Sequence, residues 1–253
     1  VTSPLHELRI GCVQYLNAKP LIYDYDGDVT FDHPAVLARE LALGRLDAAL
    51  VPVFEVLRDP HYAIVDGCAV ACEGPVHSVV LAFRGQLQDI RSIALDPASM
   101  SSVHLLKVLL AEFHGMRPEY REDGEARLLI GNQAIEFRAA AHDQPWQFLD
   151  LGEEWRRQTG LPFVFAVWAL RPAVRNMRAV ADAFRSVKAH GLANLSTIVS
   201  TERVQDAAFR QRYLGGHIRY EMGAREKQGL ALYRELLAKW LLIESAEPPL
   251  RFV

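Results

Sequence analysis

Ser99, Ser101 and Ser102 crowd the start of a strongly apolar stretch, 103–113, that reads as a helix closed by Gly115. One serine at such a start is an N-cap that stabilises the helix by about 1 kcal/mol. Three place several hydroxyls beside free backbone N–H groups at the positive end of the helix dipole, a setting suited to a carboxylate or phosphate. The capping reading and the anion-site reading both stand on these residues alone. Three other polar turns follow apolar strands: Tyr15-Leu16-Asn17, Gly74-Pro75-Val76-His77-Ser78 and Gly131-Asn132. Read by itself, Gly131-Asn132 is an ordinary turn; before Gln133-Ala134-Ile135 it can also open a second helix of the same kind. His77 adjoins Ser78, but strand alternation points the two to opposite faces. His104 sits early in the helix after the serines and can lean towards them. Lys19 and Arg84 can lend charge to a cleft or stay solvated at the surface.

Other chemistries lack their signatures. There is no nucleophile elbow, Walker loop, dinucleotide fingerprint or metalloprotease motif. Cys12, Cys68 and Cys72 are a sparse, odd set that fits a reducing compartment rather than a disulfide scaffold. Cys68 and Cys72, with His61 and His77 nearby, suggest a metal. They lie in an apolar run, however, where cysteine behaves as a small hydrophobe, and no second cysteine pair completes a zinc site. The expectation is therefore no metal.

The elements that must position the four turns alternate strand and helix. Strand-like runs are 8–13, 29–33, 48–53, 62–72, 76–83, 93–95, 128–130 and 163–170, with 148–151 a strand or turn. Between them, 35–43 is a helix punctuated by Pro34 and Gly44, and 153–158 is a short helix. From 179 onward the chain reads as helical, over 180–188, 202–213 and 224–242, with Gly215-Gly216 a turn. Strands alternating with crossovers indicate an α/β sheet. The pattern starts twice and ends in a helical tail. The simplest division is two lobes, 1–84 plus 171–253 and 85–170, with a cleft between them. Ligands in such sheets sit beyond the carboxyl ends of the strands.

Length and composition agree with this. The chain has 253 residues, 50% hydrophobic and 23% charged, which is ordinary globular usage and enough to bury a core without disulfides. A net charge of -3 argues against a nucleic-acid partner and is silent about small anions. Residues 1–7 have neither a basic n-region nor an apolar h-region. No stretch reaches the roughly 18 uninterrupted apolar residues of a membrane span. A cytoplasmic protein with no membrane partner is the expectation.

Several segments together resemble one family. They are Arg9-Ile10-Gly11 with Tyr15-Leu16-Asn17-Ala18-Lys19-Pro20-Leu21; Asp47 to Val53; Gly74 to Val79; Ile93-Ala94-Leu95-Asp96 with Ser99, Ser101 and Ser102; Leu129-Ile130-Gly131-Asn132; Asp150-Leu151-Gly152 through Trp155 to the run 159–168; and Tyr220 to Leu230. Across nearly the whole chain these are similar to the menaquinone-biosynthesis chorismate dehydratases of the futalosine route. The runs 15–21 and 159–168 are the most specific.

The resemblance implies an α/β, two-lobed type II periplasmic-binding-protein-like fold with a central cleft. It implies a hydro-lyase that dehydrates chorismate, a small dicarboxylate, with no metal or organic cofactor. It implies Asn17 and Ser78 as the catalytic pair, and Ser99, Ser101, Ser102, Gly131, Asn132 and Phe163 as substrate-binding residues. Relatives often carry Asp where this chain has Asn132, which puts an acid–base role there in doubt. Two other readings share the fold: the 1,4-dihydroxy-6-naphthoate synthase of the same pathway, and a non-catalytic small-anion-binding protein. The wording of 15–18 and 159–168 favours the dehydratase.

Overall fold

A computed structural model describes residues 3–95, 100–141 and 143–253. In chain order the first half runs β1 (Ile10–Cys12), β2 (Val29–Phe31), α1 (Pro34–Ala42), β3 (Ala48–Pro52), α2 (Val53–Arg58), β4 (Ala63–Cys72), β5 (Val79–Phe83), β6 (Ser92–Ala94) and α3 (Met100–Val108). The second half runs β7 (Glu119–Arg121), β8 (Ala126–Ile130), α4 (Gly131–Ala140), β9 (Gln147–Asp150), α5 (Leu151–Thr159), β10 (Phe163–Leu170), α6 (Met177–Ala193), α7 (Leu195–Thr201), α8 (Ala207–Arg212), α9 (Ala224–Lys239) and β11 (Arg251–Phe252).

The strands form two sheets, ordered β11-β4-β10-β3-β1-β2 and β7-β6-β8-β5-β9. In the first, β1 pairs in parallel with β2 and β3, and α1 makes the crossover between those two. The helix buries Leu37, Ala38 and Leu41 at helical spacing, with Pro34 in its first turn. Every residue of β3 is buried, as expected of a strand covered on both faces. In the second sheet β6 pairs in parallel with β7 and β8, and β5 pairs antiparallel with β8 and β9.

These pairings move both chain crossings. β5 belongs to the second sheet, and β10 lies in the first, between β3 and β4. The chain therefore crosses between Cys72 and Val79 and returns between Asp150 and Phe163, rather than near residues 84 and 170 as the sequence division had it. An apolar run shows that a strand is buried but not which strand it pairs with. The sequence pattern alone therefore puts β5 and β10 each in the other lobe from the one their pairing shows.

The tail also differs from expectation. Residues 202–206 are not helical; α8 begins only after Asp206, whose side chain accepts from the Phe209 N–H at 2.7 Å. The expected helix 103–113 starts earlier, at Met100, and passes into a π-helical turn, Leu109–Phe113. Gly215 and Gly216 lie inside a second π-helical turn, Tyr213–His217.

One continuous core runs through both lobes, and a smaller cluster of Val80, Ala82, Leu129 and Ala134 lies apart from it in the second. Beside the crossings, Trp155, Phe163 and Tyr233 meet edge to face, with centroids 4.9 to 5.9 Å apart. At the first crossing Glu73 gathers Arg219 at 2.9 Å, Arg225 at 3.1 Å and Arg156 at 3.5 Å, tying α5 to the tail. Among the described residues no helix is long and apolar enough to cross a membrane.

Candidate active site

Between the two sheets lies a cavity lined from both lobes. β1, β3 and β8 all run towards it with their carboxyl ends. Most of its wall is apolar, from residues such as Val13, Leu50, Val70, Val79, Ile130 and Phe165. Its polar groups come from Tyr15, Asn17, Ser101 and Ser102, and from the backbone at Gly131. Among the described residues no Asp, Glu, Lys, Arg or His lines it.

The 3₁₀ turn Leu16–Leu21 carries Asn17 to the cavity. Leu16, Ala18, Pro20 and Leu21 are buried and fix the turn to the first lobe. It packs on α6 at Gly191, where a Cβ would come within 2.0 Å of the Pro20 carbonyl oxygen. Only glycine permits that approach. Lys19 turns away and pairs with Glu202 at 2.9 Å. Arg84 also stays clear of the cavity and lies over the Trp146 ring, 4.5 Å from its centroid.

Ser78 is fully buried behind the wall that Val76 and Val79 form, does not itself line the cavity, and is held by a strained turn. Its N–H donates to the Val76 carbonyl at 2.7 Å across His77, whose φ is 60°. This is a γ-turn of the positive-φ kind, which is rare and costs about 1–3 kcal/mol in a non-glycine residue. Asp150 holds it in place. One carboxylate oxygen accepts from the Val76 N–H at 3.0 Å, the other from the His77 N–H at 2.7 Å. The first oxygen also accepts from Gly152 and Glu153, so the same group caps α5. Burial pushes the Asp150 carboxyl above its ordinary value, opposed by the N–H donors of Val76, His77 and Glu153 and by Arg138. The turn also excludes His77 from the cavity: its ring packs against His217, centroids 4.2 Å apart, and against Phe209. Burial, then His217, Arg138 and Arg212, push that imidazole down to about 4.

Ser101 and Ser102 lie in the first turn of α3 and line the cavity. Ser101 Oγ is already engaged, accepting from the Phe54 N–H at the start of α2 at 3.0 Å, so it joins the two lobes. Ser99 and Asp96 lie outside the described residues. His104 does not reach the cavity. Its ring stacks on Phe54 with centroids 3.7 Å apart, and its Nδ1 lies 2.7 Å from the Met100 carbonyl oxygen. Burial pushes it down to about 4.

Gly131 opens α4, so its turn is indeed a helix start. Its φ is 59°, and a Cβ there would sit 2.8 Å from the Tyr15 ring, so both backbone and space require glycine. Its N–H donates to the Ser78 carbonyl at 2.7 Å, which ties α4 to the Ser78 turn. Asn132 does not line the cavity; its Oδ1 accepts from the Leu16 N–H at 3.1 Å. Phe163 does not line it either. It is 1% exposed in the aromatic cluster beside the crossings, and Phe165, two residues along the same strand, takes the cavity wall. Residues two apart share a face of a strand, so the run 159–168 alone does not choose between them.

Two groups at this site lack partners. Asn17 Oδ1 and Ser78 Oγ are buried without a hydrogen bond of normal geometry. The nearby phenol is that of Tyr213, a residue with no motif around it to single it out in sequence. Burial pushes its pKa up, and the Ser78 and Asn17 side chains oppose that rise, which places its hydroxyl beside both. The constellation offers hydroxyls, amides and helix starts inside an apolar wall. It can bind and orient an anionic organic molecule, and it has no strong base of its own among the described residues.

Comparison with known proteins converges on one group. A family model described as menaquinone biosynthesis matches residues 8–239. A chorismate dehydratase of Thermus thermophilus is 32% identical over 256 residues, spanning 90% of this chain and 94% of that protein. A chorismate dehydratase of Campylobacter jejuni is 29% identical over 154 residues, 60% of this chain and 58% of that protein. Among solved structures, a protein from Archaeoglobus fulgidus superposes with a TM-score of 0.75 at 17% identity, over 93% of this chain and 98% of that one. The periplasmic aliphatic sulphonate binding protein of Escherichia coli superposes at 0.57 with 14% identity, over 96% of this chain and 92% of that one. These neighbours establish the periplasmic-binding-protein fold.

Proposed function

The chain belongs to the menaquinone-biosynthesis family, and from that premise we propose that it is a chorismate dehydratase. It is a hydro-lyase that removes water from chorismate to leave 3-[(1-carboxyvinyl)oxy]benzoate. The observation that carries this reading beyond family membership is a cavity wall that is apolar and uncharged among the described residues, with Asn17 Oδ1 and Ser78 Oγ buried and unpartnered among those same residues. Acidic side chains would repel a dianionic substrate. Hydroxyls, amides and helix starts do not.

In the reaction the ring C–H bond beside the ether breaks, and its electron pair forms the new ring double bond. The neighbouring C–O bond breaks, and the proton and hydroxide leave together as water. Aromatisation supplies the driving force, so the protein has mainly to hold the groups in place and aid one proton transfer. The substrate's own enolpyruvyl carboxylate takes the ring proton in this reading. Ser101, Ser102 and, outside the described residues, Ser99 anchor a carboxylate, with the Gly131 turn shaping the opposite wall. Asn17 and Ser78 orient the reacting carbons and hydrogen-bond the departing hydroxyl. Closure of the lobes excludes bulk water.

The test is incubation of the purified chain with chorismate, followed by mass spectrometry. Loss of one water supports the reading. Binding without conversion would point instead to a receptor, and turnover of a cyclic futalosine compound in place of chorismate to the sister synthase. An ester at the enolpyruvyl carboxylate should bind and not react; turnover of that analogue would refute the role given to the carboxylate.

A further inference from the structure

Tyr213 heads the π-helical turn Tyr213–His217, which packs against the 3₁₀ turn that carries Asn17. It is 1% exposed, and its ring stacks on Phe209 with centroids 5.6 Å apart and planes 13° from parallel. The ring plane is therefore set by packing, which leaves the hydroxyl little freedom. Among the described residues, Asn17 Oδ1, Ser78 Oγ and the Tyr220 hydroxyl oxygen are buried without hydrogen-bond partners, and all three residues interact with Tyr213. Buried polar groups in native proteins are nearly always paired, so three orphans around one phenol call for an account.

We propose that Tyr213 is a positioning residue for the dehydration, orienting Asn17 and Ser78 through its hydroxyl. This rests on the dehydratase reading. A neutral phenol has one proton to donate, and Asn17 Oδ1 can only accept. With Tyr213 donating to Oδ1, the Asn17 amide is held with its NH₂ group turned to the cavity as a donor. Ser78 Oγ, also beside the phenol, can donate to the Tyr213 oxygen or turn towards the departing hydroxyl. The Tyr220 phenol lies near enough to Tyr213 for the two to interact. Burial keeps the Tyr213 and Tyr220 phenols protonated, opposed at Tyr213 by Ser78 and Asn17, so both remain donors near neutral pH. Tyr213 does not itself line the cavity, and its effect passes through its two neighbours.

The test uses the full chain and requires first that the wild type convert chorismate; failure there rejects the dehydratase reading, not this one. Tyr213→Phe keeps the stacked ring and removes only the hydroxyl. The expected result is a kcat lowered at least about tenfold, with KM changed less than about threefold. In an Asn17→Ala background, Tyr213→Phe should cost little more, because a positioning residue has nothing left to position. A kcat within about twofold of wild type overturns the proposal, and so does full multiplicative loss in the double variant. Should Tyr213→Phe fail to fold, 3-fluorotyrosine at position 213 gives an independent reading. Its fluorine NMR resonance should shift in Asn17→Ala, and an unchanged resonance in that variant and in Ser78→Ala overturns the proposal.

Discussion

Asn132, on the second lobe, accepts a hydrogen bond at 3.1 Å from the backbone N–H of Leu16, on the first. The contact spans the cleft and anchors the turn that holds Asn17. Beside it, Gly131 lies against the Tyr15 ring, so one helix start meets one loop across the gap at two consecutive residues. What the contact requires of residue 132 is an acceptor oxygen, which a carboxylate supplies as well as a carboxamide. An Asp at this position, which the family resemblance implies for other members, would be compatible with the same geometry without an acid–base role.

Asn132→Asp is expected to keep kcat/KM within about threefold, because it keeps the acceptor. Asn132→Ala should lower it by about three- to tenfold, the worth of one net hydrogen bond. Steady-state kinetics on both variants decide the matter. Collapse of activity in the Asp variant would show that this chain does not tolerate a negative charge at position 132.

Asn17→Ala and Ser78→Ala should each lower kcat/KM well over tenfold. Ser78→Ala removes a buried hydroxyl that has no partner in the protein, so its melting temperature should hold or rise. Near-normal activity in either variant would remove that residue from the catalytic pair.

Asp150→Asn exchanges a carboxylate that accepts from the Val76, His77, Gly152 and Glu153 N–H groups for an amide that can turn a donor towards them. The expected cost is on the order of 2–3 kcal/mol, that of hydrogen bonds to a buried charged group. The γ-turn at His77 should relax with it. Urea unfolding measures the stability, and kcat below the melting range measures the turn. A destabilised variant with wild-type kcat would mean that Ser78 is placed without help from Asp150.

Acid should destabilise the fold in a defined window. His77 and His104 are both pushed from the ordinary 6.5 down to about 4, chiefly by burial. As pH falls from about 6.5 towards about 4, the unfolded chain takes up protons that these two groups in the folded chain do not. Their contribution to stability is full above that window and is lost as pH falls through it. The melting temperature should drop accordingly, and His104→Gln should flatten the drop. An unchanged acid limb in that variant would mean that His104 titrates normally in the folded protein.

Much of the architecture was legible because it depends on local pattern. Pro34 and Gly44 bracket α1, β3 is wholly apolar, and the polar turns at 15–17, 74–78 and 131–132 all lie at or behind the cavity. What depends on distant partners was not legible. The lobe boundaries turn on which strands β5 and β10 pair with. Phe163 and Phe165 would share one face of a regular strand, but the pairing of β10 with β4 slips by one residue between Val164 and Ala166, and the first joins the aromatic cluster while the second lines the cavity. His77 keeps away from the cavity through a left-handed turn rather than through the strand alternation that its sequence suggested. Tyr213 was missed because a tyrosine in a helical tail carries no spacing signal, and nothing short of the folded chain brings it to residues 17 and 78.

Asn17 and Ser78 also bear on how the enzyme lets go. In the dehydratase reading, substrate and product carry the same two carboxylates, so a pocket that gripped by charge would hold both alike and clog. Here the two differ at those residues: chorismate brings a ring hydroxyl that the Asn17 NH₂ group and the Ser78 hydroxyl can bond, and the flat aromatic product brings none. Each turnover thus returns the site to its unsatisfied state, since a polar site built for a hydroxyl rejects the analogue that lacks one. Low product inhibition would then come from the same pair that orients the reaction.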